Sequence, residues 1–162
     1  MKRCVIFDLD QTLVDSSLSE QYRNIGDWKS AVSCINKFVL YNNMQTVLDY
    51  IRNNGIKLAV VSSSVSYYVN NVLLYFGINA DCIIAYHDVV CKKPNPEGMI
   101  KALSILKVSS EETIAIGDRD SDIIAAQSAK IFSIGCLWGG GRFKMSNPNA
   151  LISDPIEIIS YL

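Results

Sequence analysis

The stretch Cys4-Val5-Ile6-Phe7-Asp8-Leu9-Asp10-Gln11-Thr12-Leu13 decides the fold class of this chain. It begins with a short apolar run over 4–9, which is typical of a strand buried in a parallel sheet and which ends on carboxylates. Five further apolar runs can form strands, at 56–61, 82–86, 113–116, 131–134 and 150–152. The sequence therefore predicts a series of short buried strands, and acidic residues follow the first of them.

Helical patterns lie between these strands. The predicted helices are at 44–51 and 65–76, from Pro96, at 121–129 and from Pro155. Gly55 and Gly77 stand where C-terminal caps belong, and Asn95 is a plausible N-cap. Strands alternating with helices at this spacing predict an α/β fold, namely a three-layer Rossmann-like parallel sheet with helices on both faces. In such a sheet, ligands bind beyond the carboxyl ends of the strands.

Length and charge exclude several functional classes. The 162 residues include 15 Lys and Arg and 16 Asp and Glu, which gives a formal net charge of −1. One domain over 1–162 fits this length, and the charge argues against a protein that coats nucleic acid or an anionic membrane. No apolar run approaches the roughly 18 residues that span a bilayer, and the first residues lack a signal-peptide core. Five cysteines without a CxxC pair predict free thiols, so we expect a cytoplasmic protein.

The segment 16–43 interrupts the alternation of strands and helices. It separates the first strand from its expected helix, and Trp28, Val32 and Ile35 give it a short helical stripe. An insertion of this length beside the strand ends is either a minimal cap that acts as a lid or a packing excursion. Its aromatic side chains are candidates for substrate contact or for packing, namely Tyr22, Trp28, Phe38 and Tyr41.

Polar side chains suited to phosphate and metal chemistry follow four of the predicted strands. In chain order they are Asp8 and Asp10, Ser62, Lys93, and Asp118 with Asp122. Each also has an ordinary explanation, because acidic residues cap turns and helices, serine ends many strands and lysine pairs are often solvated. Together, oxygen ligands beside a lysine and a hydroxyl predict an Mg²⁺ site that binds phosphate, with one carboxylate left to act as nucleophile. His87, the single histidine, has no candidate partner for Ser-His or Cys-His catalysis.

These segments resemble the four motifs of the haloacid dehalogenase (HAD) superfamily, in the same order. The matching segments are Asp8-Leu9-Asp10-Gln11-Thr12-Leu13, Ser62 after an apolar strand, Lys93-Pro94-Asn95-Pro96 and Gly117-Asp118-Arg119-Asp120-Ser121-Asp122. The branch they resemble is that of the phosphoglycolate phosphatases, and the tail Gly135-Cys136-Leu137-Trp138-Gly139 is similar to it as well. The sequence departs from the family pattern at Gln11, where glycine is common.

The resemblance implies a role for each motif residue. Asp8 would be the nucleophile that forms an aspartyl-phosphate, Asp10 the general acid and base, and Lys93 the cation that neutralises the nucleophile and the phosphate. The implied Mg²⁺ ligands are Asp8, Asp10 through its backbone carbonyl, Asp118 and, directly or by orienting other ligands, Asp122. The implied substrate-binding residues are Thr12, Ser62 and Ser63. Such a site hydrolyses a phosphate monoester.

The spacing of the motifs limits the size of any cap. The segments from Thr12 to Ser62 and from Ser62 to Lys93 are too short for the full caps of larger relatives, so we expect an open site. An open site favours hydrolysis over a phosphomutase, which must keep water away from its phospho-enzyme. Two alternatives are a phosphoryl-accepting regulatory protein and a catalytically idle binding protein on the same scaffold. The expected partner is a phosphorylated small metabolite or a nucleotide, with nucleic acid unexpected and a homodimer as a candidate cover for the site.

Overall fold

A central parallel sheet organises the computed structural model, which describes residues 2–162. The strands are β1 (Cys4–Phe7), β2 (Val14–Asp15), β3 (Val39–Leu40), β4 (Lys57–Val61), β5 (Cys82–Ile84), β6 (Thr113–Gly117), β7 (Phe132–Cys136) and β8 (Ala150–Ile152). Six of them form the sheet in the order β5-β4-β1-β6-β7-β8, and all neighbouring pairs are parallel. The predicted parallel sheet is confirmed.

Strand β1 lies inside the sheet because both of its faces are apolar. Val5 and Phe7 pack into one layer of the core, whereas Cys4 and Ile6 pack into the other, as the alternation of side chains along a strand requires. All four residues are fully buried. Burial of one such large apolar side chain contributes about 1.5–3 kcal/mol to folding. The apolar run that opens the sequence therefore positions the acidic residues after it at the middle of the sheet edge.

Helices cover both faces of the sheet. The α-helices are α1 (Glu20–Asn24), α2 (Trp28–Ser33), α3 (Met44–Asn53), α4 (Ser66–Tyr75), α5 (Glu97–Leu106) and α6 (Asp120–Ser128). Shorter 3₁₀ helices are formed by Ser17–Ser19, Ile35–Lys37, Tyr86–Asp88 and Pro155–Tyr161. Helices α3 and α4 pack on one face with the last 3₁₀ helix, and α5 and α6 pack on the other. This is the predicted three-layer, Rossmann-like arrangement.

Two predicted helices differ in detail from those of the structure. The helix predicted from Pro155 is a 3₁₀ helix, which Asp154 caps by accepting a hydrogen bond from the Ile156 backbone N–H. The helix predicted from Pro96 begins at Glu97, but the Asn95 side chain still accepts from the Glu97 N–H at 3.0 Å. Short 3₁₀ and α turns share the same capping residues, so the sequence signal places the start of a helix better than its type.

The segment 16–43 forms a small layer of its own beside the strand ends. Strands β2 and β3 pair antiparallel at its base, and α1, α2 and two 3₁₀ helices lie between them. Trp28 and Phe38 pack against the ring of Tyr68 on α4, with ring centroids 5.8 Å and 6.4 Å apart. The predicted helical stripe is present, since Trp28 and Val32 lie on α2 and Ile35 is buried in the core.

The cysteines are free thiols, and no helix in the described residues 2–162 has the length and apolar character needed to cross a membrane. Cys4, Cys82 and Cys136 are buried, and burial raises the pKa of Cys4 to about 12. Cys34 is half-buried and Cys91 is exposed.

Candidate active site

Three carboxylates converge where the strand order changes direction. Asp8 follows β1, Asp118 follows the neighbouring strand β6, and Asp122 lies in the first turn of α6. One ligand oxygen of each of these three lies within 4.8 Å of the other two. The ends of β1, β4 and β6 meet at this edge, which is the usual ligand site of an open parallel sheet. Three like charges this close repel one another unless cations neutralise them.

Lys93 supplies one of these cations. Its Nζ lies 2.7 Å from Asp8 Oδ1 and 2.6 Å from Asp122 Oδ1, and it donates to the Val61 carbonyl at 2.8 Å. The Lys93 side chain is only 4% exposed, so these three acceptors replace its water. One ammonium balances one of the three carboxylates, and the cluster keeps an acidic excess.

The electrostatics of the cluster favour a further cation. Burial raises the pKa of Asp8 to about 8 against the attraction of Lys93, with neighbouring carboxylates adding to the rise. Burial likewise raises the pKa of Asp118 to about 6, with Asp122 as the next cause. Burial opposes the charge on Lys93, but Asp122 and Asp8 together raise its pKa above the ordinary value. An all-oxygen donor set with unbalanced negative charge suits a hard divalent cation such as Mg²⁺.

Asp10 occupies a separate polar environment. Its Oδ1 accepts hydrogen bonds from Ser16 Oγ at 2.6 Å and from Tyr68 Oη at 2.7 Å. Its Oδ2 accepts from Ser64 Oγ at 2.9 Å, and Arg23 Nη1 lies 3.1 Å from the same oxygen. Both oxygens are therefore held by donors that come from the insertion and from the segment after β4.

The predicted substrate-binding residues do not all reach the cavity. Ser62 and Ser63 line it, with Ser62 buried and Ser63 exposed. Thr12 is fully buried and is absent from the cavity lining; its hydroxyl donates to Asp118 Oδ1 at 3.4 Å. The Thr12 side chain points into the protein and holds Asp118 by this hydrogen bond. This placement fits a role in loop support rather than substrate contact.

Gln11 shows why glycine is common at its position. Its φ is 62°, in the left-handed region that side chains other than glycine adopt at a cost. The Gln11 side chain accepts a hydrogen bond from Tyr41 Oη at 2.9 Å, which anchors the turn to the insertion. The side chain that replaces glycine here is therefore held by a hydrogen bond from the insertion.

The acidic cluster opens into a cavity of about 160 Å³. Its lining comprises Asp8, Asp10, Arg23, Asn24, Trp28, Ser62, Ser63, Ser64, Lys93, Arg119, Ser121 and Asp122. Of the four aromatic residues of the insertion, Trp28 lines this cavity, whereas Phe38 is buried in the core. The cavity combines nucleophilic, acidic and basic groups around a space suited to a small ligand.

A larger cavity of about 260 Å³ lies between α3 and the segment that follows α4, near the beginning of β4. Its charged residues pair with one another, as Arg52 does with Asp49 at 2.8 Å and Lys57 with Asp81 at 2.9 Å. These groups are satisfied, so the cavity offers no convergent set of reactive side chains. The smaller cavity at the strand ends is the candidate active site.

The sequence reasoning missed four residues at Asp10, namely Ser16, Arg23, Ser64 and Tyr68. Arg23 is the first cation after Arg3 in the chain, and this isolation in an acid-rich stretch was the available signal. Tyr68 gave no such signal, since its place in an apolar helical pattern predicts a core residue. Two nearby acidic residues have structural partners outside the cluster, since Asp120 accepts backbone hydrogen bonds from 144–146 and Asp15 accepts one from the Ser17 N–H. His87 is exposed.

Replacing Gly117 with Ala destabilises the fold. A Cβ at this position would lie 2.6 Å from Cγ of Asp122, so the carboxylate that pairs with Lys93 must move. We expect the free energy of unfolding to fall by about 1–3 kcal/mol, as for other overpacked sites. Chemical denaturation followed by circular dichroism measures the change. A variant within about 0.5 kcal/mol of the parent would contradict this close contact.

The parallel sheet is Rossmann-like, and the site lies where its strand order changes direction, with the side chains of Asp8, Lys93, Asp118 and Asp122. This combination of fold and site defines a HAD-like α/β protein. The sequence matches the haloacid dehalogenase-like hydrolase family over residues 18–136. This match extends over most of the chain, and the chain belongs to that family.

Curated relatives agree with this assignment. The chain is 29% identical over 128 residues to pyrophosphatase PpaX of Anoxybacillus flavithermus, which covers 76% of this chain and 58% of that protein. It is 27% identical over 131 residues to phosphoglycolate phosphatase of Psychrobacter arcticus, which covers 78% of this chain and 57% of that one. The matched part therefore spans a little under three fifths of the length of these relatives.

Solved structures show the same fold. CbbY from Rhodobacter sphaeroides in complex with phosphate aligns with a TM-score of 0.86 and 18% identity, over 98% of this chain and 96% of that one. A HAD-superfamily hydrolase of subfamily IA from Geobacter sulfurreducens aligns with a TM-score of 0.80 and 19% identity, over 100% of both chains. At these identities the likeness concerns the fold.

Proposed function

We propose that this protein is an Mg²⁺-dependent phosphatase that hydrolyses a phosphate monoester through a phospho-aspartate on Asp8. The observation that carries the proposal is the position of Asp8. Its carboxylate contacts Lys93, borders the 160 Å³ cavity and lies against Asp118 and Asp122. A nucleophile for phosphoryl transfer needs such surroundings, because positive charge must neutralise the incoming phosphate while one carboxylate oxygen faces it.

Asp8 and Asp10 act in both chemical steps of the proposed reaction. In the first step an Asp8 oxygen forms a bond to phosphorus, the bond to the leaving oxygen breaks, and Asp10 gives that oxygen a proton. In the second step Asp10 takes a proton from water, whose oxygen attacks the phospho-aspartate, so that inorganic phosphate leaves and the Asp8 carboxylate is restored. Lys93 and Ser62 stabilise the phosphoryl oxygens in both steps.

The acidic excess of the cluster supports Mg²⁺ as the cofactor. Asp8 and Asp118 would hold the ion, together with the backbone carbonyl of Asp10. Asp122 pairs with Lys93 at 2.6 Å and accepts from the Arg119 N–H at 3.1 Å, so its role would be to orient the ligands around it. When bound, Mg²⁺ supplies positive charge that draws the phosphoryl group toward Asp8.

The size and borders of the cavity support a small phosphorylated metabolite as substrate. A cavity of about 160 Å³ admits a phosphoryl group and a short leaving group. Exposed Ser63 and Arg119 border it, and water entering there favours hydrolysis over a phosphomutase. The name of one relative, a phosphoglycolate phosphatase, supports the same substrate class, and the name of another, a pyrophosphatase, adds the phosphoanhydride pyrophosphate as a small candidate substrate. The free thiols support a cytoplasmic location, and a homodimer that covers the site stays a prediction.

A screen of phosphatase activity tests the proposal. The purified protein is incubated with phosphosugars, short phosphorylated acids, nucleotides, pyrophosphate and phosphopeptides, each with Mg²⁺ or with excess EDTA, and free phosphate is measured. We expect steady turnover of at least one small phosphate with Mg²⁺ and none with EDTA. A single slow phosphorylation without turnover would instead indicate a phosphoryl-accepting regulatory protein.

Mg²⁺ should stabilise the protein more at about pH 8 than at about pH 5.5. The pKa values of Asp8 and Asp118, about 8 and about 6, lie above their ordinary value of 3.8. The folded, metal-free protein therefore binds more protons than the unfolded chain between pH 3.8 and about 8. Its free energy of unfolding falls as the pH rises through this range, first as Asp118 ionises and then as Asp8 does. Mg²⁺ takes the place of these protons, so its effect grows with pH.

Thermal unfolding at the two pH values, with Mg²⁺ or with EDTA, measures this difference. The variant Asp118→Asn should lose the Mg²⁺-dependent increase in unfolding temperature at the higher pH. Asp49→Asn, an exposed carboxylate on α3, serves as the control and should keep it. An equal effect of Mg²⁺ at both pH values would contradict the proposed site.

A further inference from the structure

The insertion is too small to form a full cap, but one of its arginines reaches the active site. Arg23 lies on α1, its side chain is 9% exposed, and its Nη1 is 3.1 Å from Asp10 Oδ2. Neighbouring residues orient the guanidinium, since its Nε donates to Ser19 Oγ at 3.1 Å and its Cζ lies 5.9 Å from the centre of the Tyr68 ring. A buried arginine ordered in this way can hold a carboxylate in one orientation.

Tyr68 holds the other oxygen of Asp10. Its ring is fully buried against Trp28 and Phe38 of the insertion, and its hydroxyl donates to Asp10 Oδ1 at 2.7 Å. Ser19 Oγ lies 3.3 Å from the same hydroxyl. The insertion thus places Arg23 directly and fixes Tyr68 by packing, so both contacts to Asp10 depend on how it folds.

The donors to Asp10 are distinct from those around the nucleophile. Lys93 contacts Asp8, Asp122 and the Val61 carbonyl, whereas none of the four donors to the Asp10 side chain forms a hydrogen bond or an ion pair with Asp8 in the described residues. A substitution among the Asp10 donors can therefore disturb the proton-transfer residue and leave the phosphoryl-binding residues in place. The effect of the insertion on Asp10 can therefore be measured separately from phosphoryl binding.

We infer that Arg23, assisted by Tyr68, is a positioning residue that aims the Asp10 carboxylate at the leaving group. This inference rests on the proposed phosphatase function and assigns the insertion a part in that reaction. A free aspartate side chain samples several rotamers, and each wrong rotamer withholds the proton from the leaving oxygen. The cation and the phenol restrict Asp10 to one of them.

The dependence of rate on the leaving group distinguishes positioning from a merely structural role. The two substrates are p-nitrophenyl phosphate, whose phenolate leaves readily without a proton, and the alkyl phosphate turned over fastest in the screen, whose alkoxide needs one. We expect Arg23→Gln to lower kcat/KM on the alkyl phosphate by about 10–100-fold and on p-nitrophenyl phosphate by less than about threefold, because Lys93 and Ser62 still bind the phosphoryl group. The ratio kcat/KM reports the steps up to departure of the leaving group, so it leaves out the second step, in which Asp10 acts as a base for both substrates.

Conservative variants keep the test sound if Arg23→Gln folds poorly. Arg23→Lys retains the charge and should restore part of the lost rate. Tyr68→Phe removes only the hydroxyl and should show the same selective loss on the alkyl phosphate. Tyr67→Phe, its exposed neighbour on α4, and Arg52→Gln, in an exposed ion pair, are the controls and should match the parent.

A double variant shows whether Arg23 acts through Asp10. In an Asp10→Asn background, Arg23→Gln should leave the ratio of the two kcat/KM values unchanged, because the residue being positioned can no longer transfer a proton. Equal losses of kcat/KM on both substrates in Arg23→Gln alone, or a faster alkyl reaction, would overturn the inference. The proposed function fails separately, if Asp8→Asn retains turnover or no phosphate is hydrolysed at all.

Discussion

Replacing Asp8 with Asn abolishes turnover, with an expected fall in kcat of at least about 10⁴-fold. The amide oxygen of Asn is a poor nucleophile and carries no charge to attract Lys93, which lies 2.7 Å from Asp8 Oδ1. The fold should survive, because Asn has nearly the same shape and the substitution removes one charge from a crowded acidic cluster. Phosphate release with Mg²⁺ measures the activity, and thermal unfolding measures the stability.

The covalent intermediate provides a direct check on this result. Rapid acid quenching of the parent protein during turnover should trap a species heavier by one phosphoryl group, and peptide mapping should place that group on Asp8. Asp49→Asn, the exposed control on α3, should form the same species at the parent rate. Wild-type turnover in Asp8→Asn, or a phosphoryl group mapped to another residue, would refute the proposed mechanism.

Replacing Lys93 with Met should damage both stability and catalysis. The Lys93 side chain is 4% exposed and its ammonium lies between Asp8 and Asp122, so its removal takes the counter-ion away from both carboxylates. Loss of one member of a buried ion pair costs about 3–5 kcal/mol, which we expect to measure by chemical denaturation in EDTA at neutral pH. The value of kcat with Mg²⁺ should fall by about 10²–10³-fold, because the transferring phosphoryl group loses a fixed positive charge.

The neighbouring lysine provides a matched control for this prediction. Lys92 carries the same side chain one position earlier, and its Nζ donates to the Val90 carbonyl in an exposed setting. Lys92→Met should change the free energy of unfolding by less than about 0.5 kcal/mol and leave kcat near the parent value. Equal effects of the two substitutions would show that the ion pairs of Lys93 with Asp8 and Asp122 contribute neither to stability nor to catalysis.

Much of the fold was predictable because its signals are local. The apolar run at Cys4–Phe7, the caps at Gly55 and Asn95 and the helical stripe of α3 each depend on residues near in sequence. Their alternation predicts a parallel sheet, and right-handed crossover connections restrict its topology. The type of short helices escaped prediction, as at Pro155–Tyr161, because small energy differences decide between a 3₁₀ and an α turn.

The candidate site was predictable in part for the same reason. Asp8, Ser62, Lys93 and Asp118 each follow a strand, and parallel strands bring their carboxyl ends to one edge. Thr12 was placed with the substrate-binding residues, but its side chain turns inward and donates to Asp118. The direction in which a loop residue points depends on the backbone of the turn, here set by Gln11 at a φ of 62°, and sequence spacing does not specify it.

The sequence by itself determined which side chains carry the proposed chemistry, since their types and order follow from the strand ends on which they lie. Only the tertiary structure decided what surrounds Asp10. Tyr68 is 58 positions away along the chain and Arg23 belongs to a segment without a strong pattern, so no local signal joins either to Asp10. Packing of the insertion against α4 brings them together, because the rings of Trp28 and Phe38 contact Tyr68, and Ser19 of the insertion lies against both the Tyr68 hydroxyl and the Arg23 guanidinium.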